Sequence, residues 1–405
     1  MAKLDFHIVK RIRDQIAKGN DRIALKHKVG NVWNGISWKQ FGQQVDALSL
    51  ALLAHGIRIQ DKIGIFSNNM PQWTIADFAA LQVRAVTVPI YPTNTAAQSA
   101  YILQDADVRV LFVGEQPQFD AAVSIFDECE QLELIVAMSD DIDVGEHGFA
   151  ISWQRLIANV DKVHQQELDI RLEQANLDDL LTLIYTSGTT GQPKGVMLDY
   201  ANIGAQLEGH DQRLSLSQSD VSLSFLPLSH VFERAWTFYV LYRGATNCYL
   251  QDTMQVRDAL SEVRPTVMCA VPRFYEKIFS AIHEKVAKAP FIRKVLFTWA
   301  VNMGAKMAVC HQEGRKPSIA LKKSHALADK LVLSKLRALL GGQINFMPCG
   351  GAKLDETIGR FFHAIGINVK LGYGMTETTA TVSCWDDKCF NPDSIGMAMP
   401  GVQVK

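Results

Sequence analysis

Ten residues, Thr186 to Gly195 (TSGTTGQPKG), gather three glycines, four hydroxyl side chains and one lysine directly after the apolar segment 181–185. Glycines let successive backbone N–H groups crowd together without Cβ clashes and aim at one anion. The hydroxyls of Thr186, Ser187, Thr189 and Thr190 add hydrogen-bonding groups, and Lys194 adds a positive charge on a long stem. Residue types in this order make a polyphosphate cradle. It is not a Walker A loop, because Lys194 stands between Pro193 and Gly195 and the Gly-Lys-Ser/Thr ending is missing. A flexible Ser/Thr/Gly linker is the plainer alternative. Linkers seldom sit between a strand pattern and a second apolar run, here Val196-Met197-Leu198.

A second group follows the strand expected at 367–371: Gly372-Tyr373-Gly374-Met375-Thr376-Glu377-Thr378. It sets a ring, a hydroxyl and a carboxylate on one turn beyond a strand's carboxyl end, where open α/β sheets bind ligands. Tyr373 can stack on a purine, Thr376 can bond a phosphate oxygen and Glu377 can ligate magnesium; a Gly-flanked tyrosine is also an ordinary turn residue. Upstream, Gly350-Gly351-Ala352 allows close backbone approach by a flat ring, or simply makes a tight strand-to-helix turn. Between these groups lies Leu226-Pro227-Leu228-Ser229-His230-Val231-Phe232-Glu233-Arg234. Taken alone, His230 reads as a structural histidine.

The elements that must position these groups alternate between two periods. Ser37 with Gln40 forms a capping box, an apolar stripe runs through Val45, Leu48, Leu52 and Leu53, and Gly56 ends the helix. Strands are expected at 62–67, 86–90, 109–113 and 132–136, with helices over 72–83, 96–104 and 119–129; residues 140–147 read as a surface loop. A second series of strands is expected from Leu181, then near 222–225, 246–250, 267–271, 344–347 and 368–371. Short strands alternating with longer helices predict parallel, doubly wound sheets in two related α/β subdomains, dividing near residue 175.

The 405 residues suffice for two or three domains, and a composition of 48% hydrophobic and 20% charged residues is that of a globular chain. A net charge of −1 argues against nucleic-acid binding. Seven scattered cysteines with no CxxC pair point to a reducing cytosol rather than to disulfides or a metal. The N-terminus has no signal-peptide pattern, and no window reaches the roughly 18 apolar residues of a membrane span. Residues 283–340 stand apart: twelve Lys/Arg against three acids give +9, interleaved with Phe291, Ile292, Val295, Leu296, Phe297 and Trp299. Such a stretch suits an anionic bilayer surface or acidic partner, or is the solvated face of a helical insertion.

Taken together, these motifs resemble the AMP-forming acyl-adenylate synthetases, the superfamily of acyl-CoA ligases, luciferases and peptide-synthetase adenylation domains. TSGTTGQPKG is similar to that family's phosphate loop, and Tyr373-Gly374-Met375-Thr376-Glu377 to its YGxTE motif. The early segments 65–69 with Trp73, and 88–93, fit as well, so the resemblance covers nearly the whole chain. Val271-Pro272-Arg273-Phe274-Tyr275-Glu276-Lys277-Ile278, the basic insertion and the LPLSHVFER form look most like long-chain fatty acyl-CoA synthetases.

The resemblance implies an α/β fold of two related doubly wound subdomains, residues 1–175 and 176–405, with a mainly helical basic insertion at 283–340. It implies ATP-dependent activation of a long-chain fatty acid to an acyl-adenylate, then thioester formation with coenzyme A. Lys194, with Thr186, Ser187, Gly188, Thr189, Thr190 and Gly191, would hold the ATP phosphates, and Thr186 and Glu377 would flank Mg2+. Thr376 would contact the α-phosphate, while Gly350, Gly351, Ala352, Tyr373 and Gly374 enclose adenine. His230 would position or gate the carboxylate and thioester, which makes Lys194, His230, Thr376 and Glu377 the expected catalytic set. Fatty acid, ATP and coenzyme A are the expected partners, with room for a homodimer and for a peripheral membrane contact of a cytoplasmic protein through 283–340. Family members continue beyond the position of Lys405 with a ribose-binding aspartate, a hinge and a small domain bearing a catalytic lysine, so this chain is expected to lack that domain and to bind ATP with impaired catalysis. Two other readings stay open: a non-catalytic nucleotide- or acyl-binding fragment, and an adenylation domain for an amino or aryl acid. An amino-acid enzyme needs an acidic residue for the α-amino group, and no segment identifies one.

Overall fold

The computed structural model describes residues 6–158, 162–186, 191–386, 391 and 394–405. In chain order its strands are β1 (Ile23–Val29), β2 (Val32–Ser37), β3 (Lys62–Phe66), β4 (Val86–Ile90), β5 (Val108–Val113), β6 (Leu134–Ala137), β7 (Ala150–Ser152), β8 (Leu180–Thr186) and β9 (Lys194–Asp199). Then come β10 (Val221–Ser224), β11 (Thr246–Tyr249), β12 (Met347–Cys349), β13 (Val369–Tyr373), β14 (Ser383–Cys384) and β15 (Met397–Ala398). The chain divides into two compact units, Met1–Glu208 with Phe225–Asp252, and Gly209–Ser224 with Thr253–Lys405.

The first unit is built on a seven-stranded sheet in the order β7-β6-β5-β3-β4-β8-β9. All neighbours are parallel except β8 and β9, which form an antiparallel hairpin. Every residue of β4 is buried, Thr87 included, as in a strand covered on both faces. Helix Pro71–Gln82 is buried all round except at Gln72, and Phe78 meets Phe41 and Phe238 edge-on at 5.9 and 5.4 Å. Such aromatic pairs add about 0.5–1.5 kcal/mol beyond area burial. Helix Trp38–Ala54 begins at the Ser37/Gln40 capping box and stops before Gly56, whose φ of 81° favours glycine. The sequence reading divides the chain near 175, whereas β8 and β9 lie in this first sheet. The join is a pair of threonines: the Thr182 hydroxyl donates to the Thr87 carbonyl at 2.7 Å, and the Thr87 hydroxyl to the Leu181 carbonyl.

In the second unit Val267 bridges Ser222 and Phe346 in parallel, Ala270 bridges Cys349, and β12 pairs in parallel with β13. Beyond β13 the sheet turns antiparallel through β14 and β15, because the chain reverses in a single turn at Thr376–Thr378 with no crossover helix. The basic segment is helical, as expected, with helices Phe291–Gln312, Ile319–Ala328 and Ser334–Arg337 following Pro272–Ala287. Helix Phe291–Gln312 packs on Glu356–Ala364 closely enough that a Cβ at Gly304 would collide with the Ala364 carbonyl oxygen. Phe361 sits among Phe279, His283 and Phe297 in this layer. Among the described residues no helix is long and apolar enough to cross a membrane.

Candidate active site

The cradle's two ends belong to the β8–β9 hairpin, in which Thr186 pairs with Lys194 and Tyr185 with Gly195. Ser187, Gly188, Thr189 and Thr190 lie outside the described residues. Gly191 has a φ of 97°, where only glycine is comfortable, and Lys194 is exposed. Two tyrosines fasten the base of the loop. Tyr101 donates to the Pro193 carbonyl at 3.1 Å, Tyr185 donates to Asp105 at 2.5 Å, and the rings meet edge-on. Burial, and then the Asp105 carboxylate, push the Tyr185 hydroxyl well above its ordinary pKa, so it stays a donor. Gly195 packs closely here, since a Cβ there would stand 3.2 Å from the Tyr185 ring and the ring would have to shift by a few tenths of an ångström.

His230 is the N-cap of helix Val231–Tyr242, its Nδ1 accepting from the Phe232 N–H at 3.1 Å. An accepting Nδ1 places the proton of the neutral ring on Nε2, and burial lowers the pKa, so His230 is a neutral N–H donor near pH 7. The segment ahead of it is clamped by Asn69, which donates to the Leu226 carbonyl at 2.7 Å and accepts from the Leu228 N–H at 3.0 Å. The helix itself is pinned by Arg234, buried and doubly bonded to Asp77 at 2.9 and 2.6 Å, with further donations to Thr182 and Thr87. One guanidinium thus ties the His230 helix to β8, the strand that leads into the loop.

In the second unit, two motifs far apart in sequence meet. Gly351, Ala352, Tyr373 and Gly374 line one cleft of about 360 Å³ together with Leu354, Leu371 and Ile395. The cleft opens at the carboxyl ends of β12 and β13, the edge at which α/β sheets receive ligands. Gly351 has a φ of 87°, and Tyr373 is 44% exposed, so its ring face is available. Gly350 does not line the cleft; its N–H donates to the Ala270 carbonyl. After Gly374 the chain doubles back so tightly that a Cβ there would strike the Ala380 carbonyl. Thr379 and Ala380 both take positive φ, 59° and 81°, a strained pair that holds the turn over Thr376–Thr378. Thr376 is buried, whereas Glu377 is exposed on the same turn.

Magnesium takes hard oxygen ligands and usually only one or two protein groups beside phosphate and water. The Thr186 hydroxyl, in the first unit, and the Glu377 carboxylate, in the second, are such oxygens, and Glu377 has no ion-pair partner among the described residues. The donor chemistry fits the ion. Sequence reading singled out neither Asn69, Asp77 and Arg234 as a set nor Ser394 and Ile395 in the cleft. Asn69 and Arg234 stand in motif segments and Asp77 only within the helix expected over 72–83; Ser394 and Ile395 carry no local signal.

Known proteins resemble this chain in sequence and in fold. The family model described as AMP-binding enzyme matches residues 12–405. The long-chain-fatty-acid–CoA ligase FadD15 of Mycobacterium bovis is 32% identical over 388 residues, 95% of this chain and 63% of the relative. The peroxisomal long chain acyl-CoA synthetase 7 of Arabidopsis thaliana is 31% identical, across 91% of this chain and 52% of the relative. The chain therefore spans between half and two thirds of the length of these curated relatives. Its fold matches the crystal structure of the anthranilate CoA ligase AuaEII in complex with anthranoyl-AMP, with a TM-score of 0.71 at 19% identity over 98% of this chain and 65% of that one. It also matches the N-terminal domain of FACL13 from Mycobacterium tuberculosis, with a TM-score of 0.67 at 19% identity over 97% of this chain and 82% of that one. With the family model spanning nearly all of it, the chain belongs to the AMP-binding enzyme family.

Proposed function

We propose that this chain binds Mg-ATP and serves the activation of a long-chain fatty acid as its acyl-adenylate, which coenzyme A then converts to a thioester. The observation that carries the reading is the cleft where the Gly-Gly-Ala turn and the Tyr373 turn converge, sized for a flat heterocycle. The names of the curated relatives favour a fatty acid over an amino or aryl acid. In the first step a carboxylate oxygen attacks the α-phosphorus, and the bond to the bridging oxygen breaks to release pyrophosphate. In the second the thiol, losing its proton, attacks the acyl carbonyl and AMP leaves.

Phosphoryl-type transfer asks a protein for alignment and charge neutralisation more than for covalent work. Lys194 and the residues of the loop hold the β- and γ-phosphates in this proposal, and Thr376 contacts the α-phosphate. Tyr373, Gly351 and Ala352 enclose adenine. Thr186 and Glu377 would hold Mg2+, which supplies neutralisation of the phosphate charge when bound. His230, a neutral donor at Nε2, orients the incoming carboxylate without adding charge. The basic helices of 283–340 bring the protein to an anionic membrane surface, where its acyl substrate partitions. Calorimetry with Mg-ATP tests the nucleotide assignments: Lys194→Ala, Tyr373→Ala and Glu377→Gln each weaken binding of a correctly folded protein. Equal affinity in all three would remove these residues from the site.

A further inference from the structure

The second unit holds another cavity, of about 970 Å³, which shares no residue with the Gly351–Tyr373 cleft. Its walls come from helices Val256–Val263, Pro272–Ala287 and Phe291–Gln312 and from the continuous helical run 329–340. The interior is apolar: Leu260 and Ile282 are buried, and Phe274, Leu296, Phe297 and Leu336 complete the surface. Six cations line the same space, Arg257, Lys277, Lys285, Lys288, Arg293 and Lys335, and no aspartate or glutamate does. All six are exposed, and none has an ion-pair partner among the described residues.

An apolar cavity near the upper end of the roughly 300–1,000 Å³ range of ligand pockets, walled by charges of one sign, has a definite complement. Grouped cations beside a low-dielectric wall raise the local concentration of anions, and the apolar floor rewards each methylene buried. A polar anion gains nothing from the floor, and a neutral hydrocarbon gains nothing from the cations. We infer that this cavity binds one long-chain carboxylate, with its acyl chain along the Leu260–Leu296–Leu336 floor and its head group at the lysine and arginine side chains. The site is additional to the proposed adenylation chemistry and does not rest on it, since occupancy needs neither ATP nor coenzyme A.

The test is photo-crosslinking with a hexadecanoate carrying a diazirine on its chain, in the absence of nucleotide, with labelled peptides mapped by mass spectrometry. Label is expected within residues 274–297 and 331–339. Hexadecanol should compete about tenfold less well than hexadecanoate, the difference being the charge interaction. Ala281→Trp, which fills the cavity from an exposed lining position, and the double variant Lys285→Gln/Arg293→Gln should each reduce labelling at least about tenfold. Both change exposed residues, so at least one is expected to keep the fold, checked by circular dichroism. Label confined to other peptides, or undiminished in a folded variant, overturns the inference, as does equal competition by hexadecanol. Variants that lose flotation with anionic vesicles but keep full labelling would likewise overturn it and leave the surface a bilayer contact only.

Discussion

Asp77→Leu removes one half of a charge pair whose side chains are only 3% (Arg234) and 1% (Asp77) exposed. It leaves the Arg234 guanidinium buried with two threonine hydroxyls as its only remaining acceptors among the described contacts. Breaking a buried pair from one side costs about 3–5 kcal/mol, a large part of a typical stability of about 5–15 kcal/mol. Replacing both partners, Asp77→Leu with Arg234→Met, removes the stranded charge. Thr87 and Thr182 then still donate to the Leu181 and Thr87 carbonyls, so the double variant should return to within about 1–2 kcal/mol of the parent. Urea unfolding followed by tryptophan fluorescence suits the assay, because the guanidinium lies 5.6 Å from the Trp73 ring. The single variant should also weaken the function of His230, which heads the helix Arg234 anchors. A single-variant cost below about 1 kcal/mol, or a double variant no better than the single, would refute the reasoning.

Acid should destabilise the chain through buried histidines. Burial holds His7, His210 and His363 at about 4 against an ordinary 6.5, so the unfolded chain takes up protons that the folded chain refuses between those values. Their contribution is full above pH 6.5 and falls as pH drops toward about 4, by at most about 3 kcal/mol each; a urea midpoint unchanged between about pH 7 and 5 would contradict this. Gly304→Ala should cost about 1–3 kcal/mol and lower the melting temperature, because helix Phe291–Gln312 must lift off the Ala364 carbonyl. Vesicle flotation should show binding to anionic but not neutral lipid that weakens with salt, since exposed charges are screened over about 8 Å at physiological ionic strength. Equal binding to both lipids would make the basic helices a solvated surface.

Local signals carried much of the fold. Ser37 and Gln40 form the capping box their spacing announces, and Gly56 ends that helix. Helix Ala96–Asp105 was legible from its pattern, and its own box, Thr95 with Gln98, obeys the same rule. The helix expected over 119–129 begins earlier, at Gln116, because Pro117 is favourable in a first turn, and it breaks into a short 3-10 turn at Phe126–Glu128. The elements before Ser37 were not read. Strand Val32–Ser37 buries only Ser37 fully and exists through its antiparallel partner β1, which no local pattern reports. In the site, the glycine and tyrosine turns were visible as turns, but their convergence in one cleft depends on β12 lying beside β13. Arg234 was likewise visible only as the last letter of a motif. Its partners Asp77, Thr87 and Thr182 come from three other elements, and such long-range pairing leaves no periodicity to find.

The central claim, that this chain recognises a long-chain acyl group joined to adenylate, is tested most directly with a stable mimic of that intermediate. Hexadecanoyl-sulfamoyladenosine, titrated calorimetrically, should bind at least about a hundredfold more tightly than AMP, as mimics of reaction intermediates do. An aminoacyl-sulfamoyladenosine should show no such gain, and Tyr373→Ala should weaken the hexadecanoyl compound. Affinity for the hexadecanoyl mimic no better than for AMP, or tighter binding of the aminoacyl mimic, would contradict the account.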